Sequence, residues 1–235
     1  VGGTLWMSGA PTLSANAAIK SGAGIVWLAA PKIHPAVLPD IITYELGRDD
    51  DGYISPTQLH QLHEMSLDKN SIAIGMGVGR SEKTLGMIKE WYYSIPDSVT
   101  VVIDADALLA FNQKDLMRKN TILTPHPGEC AKFTGLSIEQ ILKNPIEETE
   151  NIANHFNCIV HLKTAPSITT NGKKTMINGT GNPGMSVAGS GDVLSGMMAS
   201  LSANSLSPFK AAYYGSLIHG AAGDAARIHH SEQTM

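Results

Sequence analysis

Val99-Thr100-Val101-Val102-Ile103-Asp104-Ala105-Asp106-Ala107 is a run of strand-forming residues that stops abruptly at two carboxylates. Its apolar character is continuous rather than alternating, as in a strand of a parallel sheet covered by helices on both faces. Similar short runs recur at Ile25-Val26-Trp27-Leu28, Ile41-Ile42-Thr43-Tyr44, Ser71-Ile72-Ala73-Ile74, Thr121-Ile122-Leu123 and Cys158-Ile159-Val160-His161-Leu162. Helical segments with readable ends lie between them. Pro11 marks a helix start that Gly22 closes, Ser55-Pro56 opens the helix carrying Leu59 and Leu62, and Ser207-Pro208 opens the last one. Alternation of this kind predicts right-handed crossovers and a three-layer α/β/α sandwich with a mainly parallel central sheet. Asn171-Gly172, between Ser167-Ile168-Thr169-Thr170 and Thr175-Met176-Ile177, predicts an antiparallel hairpin at one end of that sheet.

Ligands of open α/β sheets bind beyond the carboxyl ends of the strands, which makes the residue after each strand informative. Ile74 leads into Gly75-Met76-Gly77-Val78-Gly79-Arg80, where the glycines suit either close approach to a ligand or a tight turn. Asp104 and Asp106 suit a ribose contact, Mg²⁺ held through water, or the cap of the next helix. His126, between Pro125 and Pro127 in Thr124-Pro125-His126-Pro127-Gly128-Glu129, reads as a positioned ligand contact or an exposed loop histidine. Lys163, followed by Thr164-Ala165-Pro166-Ser167, suits phosphate oxygens or an ordinary strand end.

Gly181-Asn182-Pro183-Gly184-Met185-Ser186-Val187-Ala188-Gly189-Ser190-Gly191-Asp192 then enters the apolar helix that begins Val193-Leu194. Unpartnered N–H groups and the positive end of the dipole make such a helix start an anion site. A carboxylate there repels the same anion, so Asp192 reads as a general base for a hydroxyl that attacks a phosphoryl group. The plainer reading is an acidic residue favoured by the dipole in the first turn.

The chain has 235 residues and a net charge of −4, with no basic run, which leaves no electrostatic footprint for nucleic acid. One domain over residues 1–235 is expected. Cys130 and Cys158 lack metal or disulfide spacing and read as buried thiols of a reducing compartment, the cytoplasm. No apolar run approaches the roughly 20 residues of a membrane span. Asp49-Asp50-Asp51-Gly52 reads as a solvated turn, His229-His230 as an exposed helix end, and Met185, Met197 and Met198 as core filling. None of these is expected to bind a metal.

Taken in order, Val1-Gly2-Gly3, Ser21-Gly22-Ala23-Gly24, Gly75-Met76-Gly77-Val78-Gly79, Asp104-Ala105-Asp106-Ala107-Leu108, Leu123-Thr124-Pro125-His126-Pro127-Gly128-Glu129, Asn182-Pro183-Gly184-Met185 and Ala188-Gly189-Ser190-Gly191-Asp192-Val193-Leu194 resemble the NAD(P)H-hydrate dehydratase family. That carbohydrate-kinase-like family belongs to the ribokinase-like superfamily. The resemblance implies repair of hydrated NADH and NADPH (NADHX and NADPHX), coupled to hydrolysis of ADP, or of ATP in eukaryotic members. It implies Ala10, Gly77, His126 and Asp192 at the hydrate, and Lys163, Thr164, Ala165, Pro166, Ser167, Gly189, Ser190 and Gly191 at the adenine nucleotide. Asp192 is then the catalytic base, Mg²⁺ travels with the nucleotide, and the assembly is a homo-oligomer. Against the family pattern, Met76 stands for a usual proline and Thr164 for a common glycine, and the expected single domain lacks a first strand before Val1 and a last helix after Met235. Two other classes compete: a ribokinase-like kinase for a small alcohol such as a vitamin precursor, and a catalytically silent nucleotide-binding module.

Overall fold

The computed structural model describes residues 1–231. Helix α1 (Gly9–Lys20) precedes the parallel pair β1 (Trp27–Ala30) and β2 (Ile42–Glu45). Next come α2 (Leu59–Ser66), β3 (Ser71–Ile74), α3 (Glu82–Ser94), β4 (Thr100–Ile103) and β5 (Thr121–Leu123). Helices α4 (Pro127–Thr134), α5 (Ile138–Lys143) and α6 (Pro145–Phe156) lead to β6 (Ile159–Leu162), β7 (Ser167–Thr170) and β8 (Thr175–Asn178). Helices α7 (Ser190–Ala203) and α8 (Pro208–Arg227) complete the order.

The main sheet runs β3-β4-β5-β6-β7-β8, parallel from β3 to β6 and antiparallel through β7 and β8. The hairpin thus falls where Asn171-Gly172 predicts it, with Gly172 in the left-handed region at φ +80°. All four residues of β4 are buried, as a strand covered on both faces requires. One core packs β3, β4 and β6 against α3, with Trp91 and Tyr92 buried, and against α6 through Phe156; a second lies under α7 around Val102, Ile122 and Met198.

The sheet is divided, unlike the single sheet expected. β1 and β2 form a separate two-stranded sheet, and residues 1–3 run between β1 and β3. The Gly2 N–H donates to the Ala29 carbonyl at 3.2 Å and the Gly3 N–H to the Met76 carbonyl at 2.8 Å. A cavity of about 270 Å³, lined by Leu28, Ile72 and Ala199 among others, lies in the same gap. β1 and β2 also sit one or two residues later than the apolar runs suggest: Ile25 is exposed, and β2 pairs with Trp27 and the buried Leu28, Ala29 and Ala30. α1 begins at Gly9, two residues before Pro11.

α7 lies over β3 and β4, flanked by α1 and α8. Its approach to α1 is so close that a Cβ on Gly196 would stand 2.0 Å from the Ser14 carbonyl oxygen. Gly196→Ala is therefore expected to cost about 1–3 kcal/mol through overpacking. Gly86→Ala, where a Cβ in α3 meets nothing within 4 Å, should add about 0.5–1 kcal/mol from helix propensity. Urea unfolding checks both, with midpoints moving in opposite directions at unchanged slope.

Candidate functional site

Gly189 caps α7 at φ +94°, a conformation favouring glycine, and a Cβ there would also meet the Leu13 side chain at 2.6 Å. The helical ladder starts with the Val193 N–H donating to the Gly189 carbonyl at 3.0 Å, so the amides of Gly191 and Asp192 precede it and aim out of the N-terminus. The helix starts at Ser190, before the apolar run at Val193 that announces it in sequence, which puts Asp192 inside the first turn. Gly191 serves space rather than backbone freedom. A Cβ there would lie 3.4 Å from Lys163 Nζ and 3.8 Å from Asp104 Oδ2.

Lys163 and Asp104 arrive from neighbouring parts of the sheet, at the carboxyl ends of β6 and β4. Nζ of Lys163 donates to Asp104 Oδ1 at 2.8 Å and lies 3.5 Å from Glu129 Oε2 on α4. The Ser195 hydroxyl of α7 donates to Asp104 Oδ2 at 2.6 Å. Asp104 is only 1 % exposed. Burial alone would raise its pKa, but the charge and hydrogen bond of Lys163, with the bonds of Ser195 and Thr124, hold it below the ordinary carboxylate value. For Lys163 the opposing influences are burial, which lowers, and the charges of Asp104 and Glu129, which win and raise it. Both groups are ionised at neutral pH. Helix capping, one of the roles open to Asp104, is not its task, since its side chain makes no cap bond. Asp106 instead accepts from the Gly79 N–H at 3.2 Å and pairs with Arg80 at 3.3 Å, bracing the glycine turn after β3.

Asp192 is half-buried, and its pKa is raised to about 6. Burial is the largest cause, the charge of Asp104 adds to it, Lys163 opposes, and Glu129 adds a little more. A carboxylate poised there holds and releases a proton near neutral pH.

His126 caps α4. Its Nδ1 accepts from the N–H groups of Gly128 at 3.0 Å and Glu129 at 3.3 Å, while the Glu129 carboxylate accepts from the His126 N–H at 2.9 Å. A capping box, as much as the flanking prolines, holds this histidine, with Glu129 linking it to Lys163. Ala10 and Gly77 are brought together, since a Cβ on Gly77 would lie 3.2 Å from the Ala10 Cβ. Among the residues after Lys163, the hydroxyls are engaged within the protein. Thr164 donates to the Pro166 carbonyl at 2.8 Å, and Ser167 lies 3.1 Å from the Ser216 hydroxyl of α8. Ala165-Pro166 is a cis peptide.

Three participants carried no sequence signal strong enough to single them out. Ser195 is one polar residue in an apolar helix, Glu129 is visible only as part of the Thr-Pro-His-Pro-Gly-Glu segment, and Asp224 lies on distant α8. Asp224 accepts from the Gly181 N–H at 2.9 Å and from Asn182 Nδ2 at 3.1 Å, tying the Gly-Asn-Pro-Gly turn to α8. An acidic residue in the last turn of a helix opposes the dipole, and that was its only clue. The thiols of Cys130 and Cys158 are buried, and burial pushes Cys130 up to about 12. Among the described residues, no helix is long and apolar enough to cross a membrane.

Fold and site together define a ribokinase-like α/β protein with a glycine-flanked helix N-terminus beside a lysine and a proton-exchanging carboxylate. The sequence pattern of the NAD(P)H-hydrate dehydratase family matches residues 1–235, and the chain belongs to that family. It is 37 % identical over 244 residues to the bifunctional NAD(P)H-hydrate repair enzyme of Moorella thermoacetica, covering all of this chain but 46 % of that protein. It thus spans about half the length of such bifunctional relatives. The ADP-dependent (S)-NAD(P)H-hydrate dehydratase of Cenarchaeum symbiosum is 32 % identical, over 98 % of this chain and 80 % of its own. The crystal structure of the ADP/ATP-dependent NAD(P)H-hydrate dehydratase of Bacillus subtilis, grown with ATP and Mg²⁺ and soaked with CoA, superposes with a TM-score of 0.83 at 26 % identity. It covers 100 % of this chain and 84 % of its own.

Asp192 carries a stability cost with a definite pH signature. Its folded pKa of about 6 exceeds the unfolded value of 3.8, so the folded state is penalised once the unfolded chain ionises, fully so above pH 6 and not at all below about pH 3.8. Asp192→Asn should therefore melt higher than the parent at pH 7.5, by on the order of 1 kcal/mol after allowance for solvent screening. The difference should vanish near pH 3.5. Melting curves across that range check the sign.

Proposed function

We propose that the chain dehydrates hydrated NADH and NADPH back to NADH and NADPH at the expense of an adenine nucleotide. The observation that carries this reading is Asp192, a carboxylate with a pKa of about 6 in the first turn of α7, where amide groups and Lys163 favour a phosphate. Phosphate attraction alone would be better served without it. A base for the attacking hydroxyl accounts for its position.

The hydrate carries a hydroxyl on a ring carbon, a poor leaving group. Asp192 accepts its proton as the oxygen attacks the terminal phosphoryl group, forming a new O–P bond while the bond to the departing nucleotide breaks. With ADP the departing group is AMP. Free amides at the start of α7, that of Gly191 among them, and the Lys163 ammonium hold the charge on the phosphoryl oxygens. The ring nitrogen then donates its electron pair, the C–O bond breaks to release phosphate, and loss of a proton from the adjacent carbon restores the dihydropyridine. Ala10, Gly77 and His126 flank the hydrate in this reading. Lys163, Thr164, Ala165, Pro166 and Ser167 meet the nucleotide with Gly189, Ser190 and Gly191. Because the hydroxyls of Thr164 and Ser167 already have partners, that segment contributes main chain and the Lys163 charge.

Mg²⁺ accompanies the nucleotide and neutralises its phosphates. Asp104 and Glu129 are engaged by Lys163, so in this reading the phosphate oxygens of the nucleotide supply the main ligands of the ion. The ADP preference follows the name of the Cenarchaeum relative. A reducing cytoplasm suits both the pyridine nucleotides and two buried free thiols. Assembly as a homo-oligomer follows from the family resemblance, and sedimentation velocity tests it.

Purified protein with hydrated NADH and Mg²⁺ should regain the absorbance of NADH only when nucleotide is added, faster with ADP than with ATP, and release phosphate and AMP. Release of a stable phosphorylated small alcohol instead would make it a kinase, and neither product would leave a silent module. Asp192→Asn should lower turnover by about 10²- to 10⁴-fold while still binding nucleotide. In the parent, turnover should fall as pH drops through about 6, where Asp192 takes up its proton. Gly191→Val should weaken ADP binding, read by calorimetry, far more than it lowers the melting temperature, because its side chain enters the space beside Lys163 Nζ.

A further inference from the structure

Asp104 is placed where a ligand-facing residue would be, yet it is 1 % exposed and both of its oxygens are engaged by the protein. Oδ1 holds the Lys163 ammonium at 2.8 Å. Oδ2 takes the Ser195 hydroxyl at 2.6 Å, and that hydroxyl lies 3.1 Å from the Gly191 carbonyl oxygen, one helical turn back. A single carboxylate at the end of β4 is therefore the joint between the cation at the end of β6 and the N-terminal part of α7, which it holds at Ser195. Ala105, directly after it, sits in the left-handed region at φ +50°, a conformation unfavourable for a non-glycine residue. That bend parts the two carboxylates, Asp104 to Lys163 and Asp106 to the Gly79 amide. Stability alone does not account for the arrangement, because well-packed apolar groups replace a buried ion pair at little or no cost.

We propose that Asp104 is a positioning residue of the phosphoryl site: it holds Lys163 and the N-terminal part of α7 at one spacing, so that ammonium and amides meet the same phosphate without rearrangement. The inference rests on the reading of α7's N-terminus as the nucleotide site. It assigns Asp104 no contact with substrate. Asp104 acts through Lys163, whose Nζ stands 3.4 Å from where a Cβ of Gly191 would be, and through Ser195, whose hydroxyl anchors α7 four residues beyond Gly191. Its charge has a second effect. The charged groups that act on Asp192 are Asp104 from β4, Glu129 from α4 and Lys163 from β6, and the two carboxylates favour its protonated form while the lysine opposes them.

The test uses the whole chain and the variants Asp104→Asn, Ser195→Ala, Lys163→Met and the double variant Asp104→Asn/Lys163→Met. ADP affinity is read by calorimetry without hydrate, and turnover of hydrated NADH as a pH profile. Asp104→Asn should weaken ADP about tenfold or more and move the acid limb of turnover to lower pH, since a negative neighbour of Asp192 is gone. Lys163→Met should weaken ADP and move that limb to higher pH. The double variant should bind ADP no worse than Lys163→Met, because both changes remove the same placed charge. Ser195→Ala should weaken ADP by about threefold and leave the acid limb where it is. Asp104→Asn that melts lower yet keeps the parent's ADP affinity and acid limb would overturn the inference, as would additive losses in the double variant. If Asp104→Asn does not fold, unchanged ADP affinity in Ser195→Ala overturns it. A parent that binds ADP without dehydrating the hydrate defeats the proposed function alone, while the affinities still decide the role of Asp104.

Discussion

The pairing of the partly buried Lys163 with the buried Asp104 is the constraint around which this end of the sheet is arranged. A lysine and an aspartate brought out of water must satisfy each other and find further partners, or the desolvation penalty is not offset. Here Glu129 completes the surroundings of the lysine and Ser195 those of the aspartate. Four elements are thereby held together: the ends of β4 and β6, the cap of α4 through Glu129, and the second turn of α7 through Ser195.

That arrangement shapes the chemistry of Asp192. Three carboxylates and one ammonium cluster near the start of α7, and the ammonium is already claimed by two of the carboxylates. The third retains its proton to about pH 6. A helix N-terminus would ordinarily stabilise an ionised aspartate; burial and the like charges of Asp104 and Glu129 outweigh it here. The same crowding that costs folding free energy at neutral pH yields a group able to exchange a proton in the physiological range.

Close backbone packing supports the site from behind. Gly196 lets α7 rest against α1, and at Gly75 a Cβ would stand 1.9 Å from the Asp104 carbonyl oxygen, so the glycine turn after β3 lies directly on the strand end that bears Asp104. Small residues in these segments are readable in the sequence. Which backbone they admit is not.

Much of the architecture was legible because it follows from local chemistry. Continuous β-branched runs gave the main-sheet strands within about a residue, Asn171-Gly172 gave the hairpin, and Ser207-Pro208 gave the start of α8, while Ser55-Pro56 opens a short 3-10 turn that leads into α2. The glycine-flanked turn before Asp192 likewise announced a helix start. The division of the sheet at residues 1–3 was not legible, since strand pairing depends on which edges meet and a run of apolar residues does not name its neighbour. Nor was the partner of Asp104. Ribose contact, hydrated Mg²⁺ and helix cap were all consistent with a carboxylate at a strand end. Only the parallel order of β4, β5 and β6, with α7 laid across β4, brings Lys163 from 59 residues away and Ser195 from 91 residues away onto its two oxygens. Sequence by itself determines which groups are available and which elements carry them, because propensity, capping and periodicity act over a few residues. The tertiary structure decides which charges face one another, because burial and pairing act through space between residues far apart in the chain.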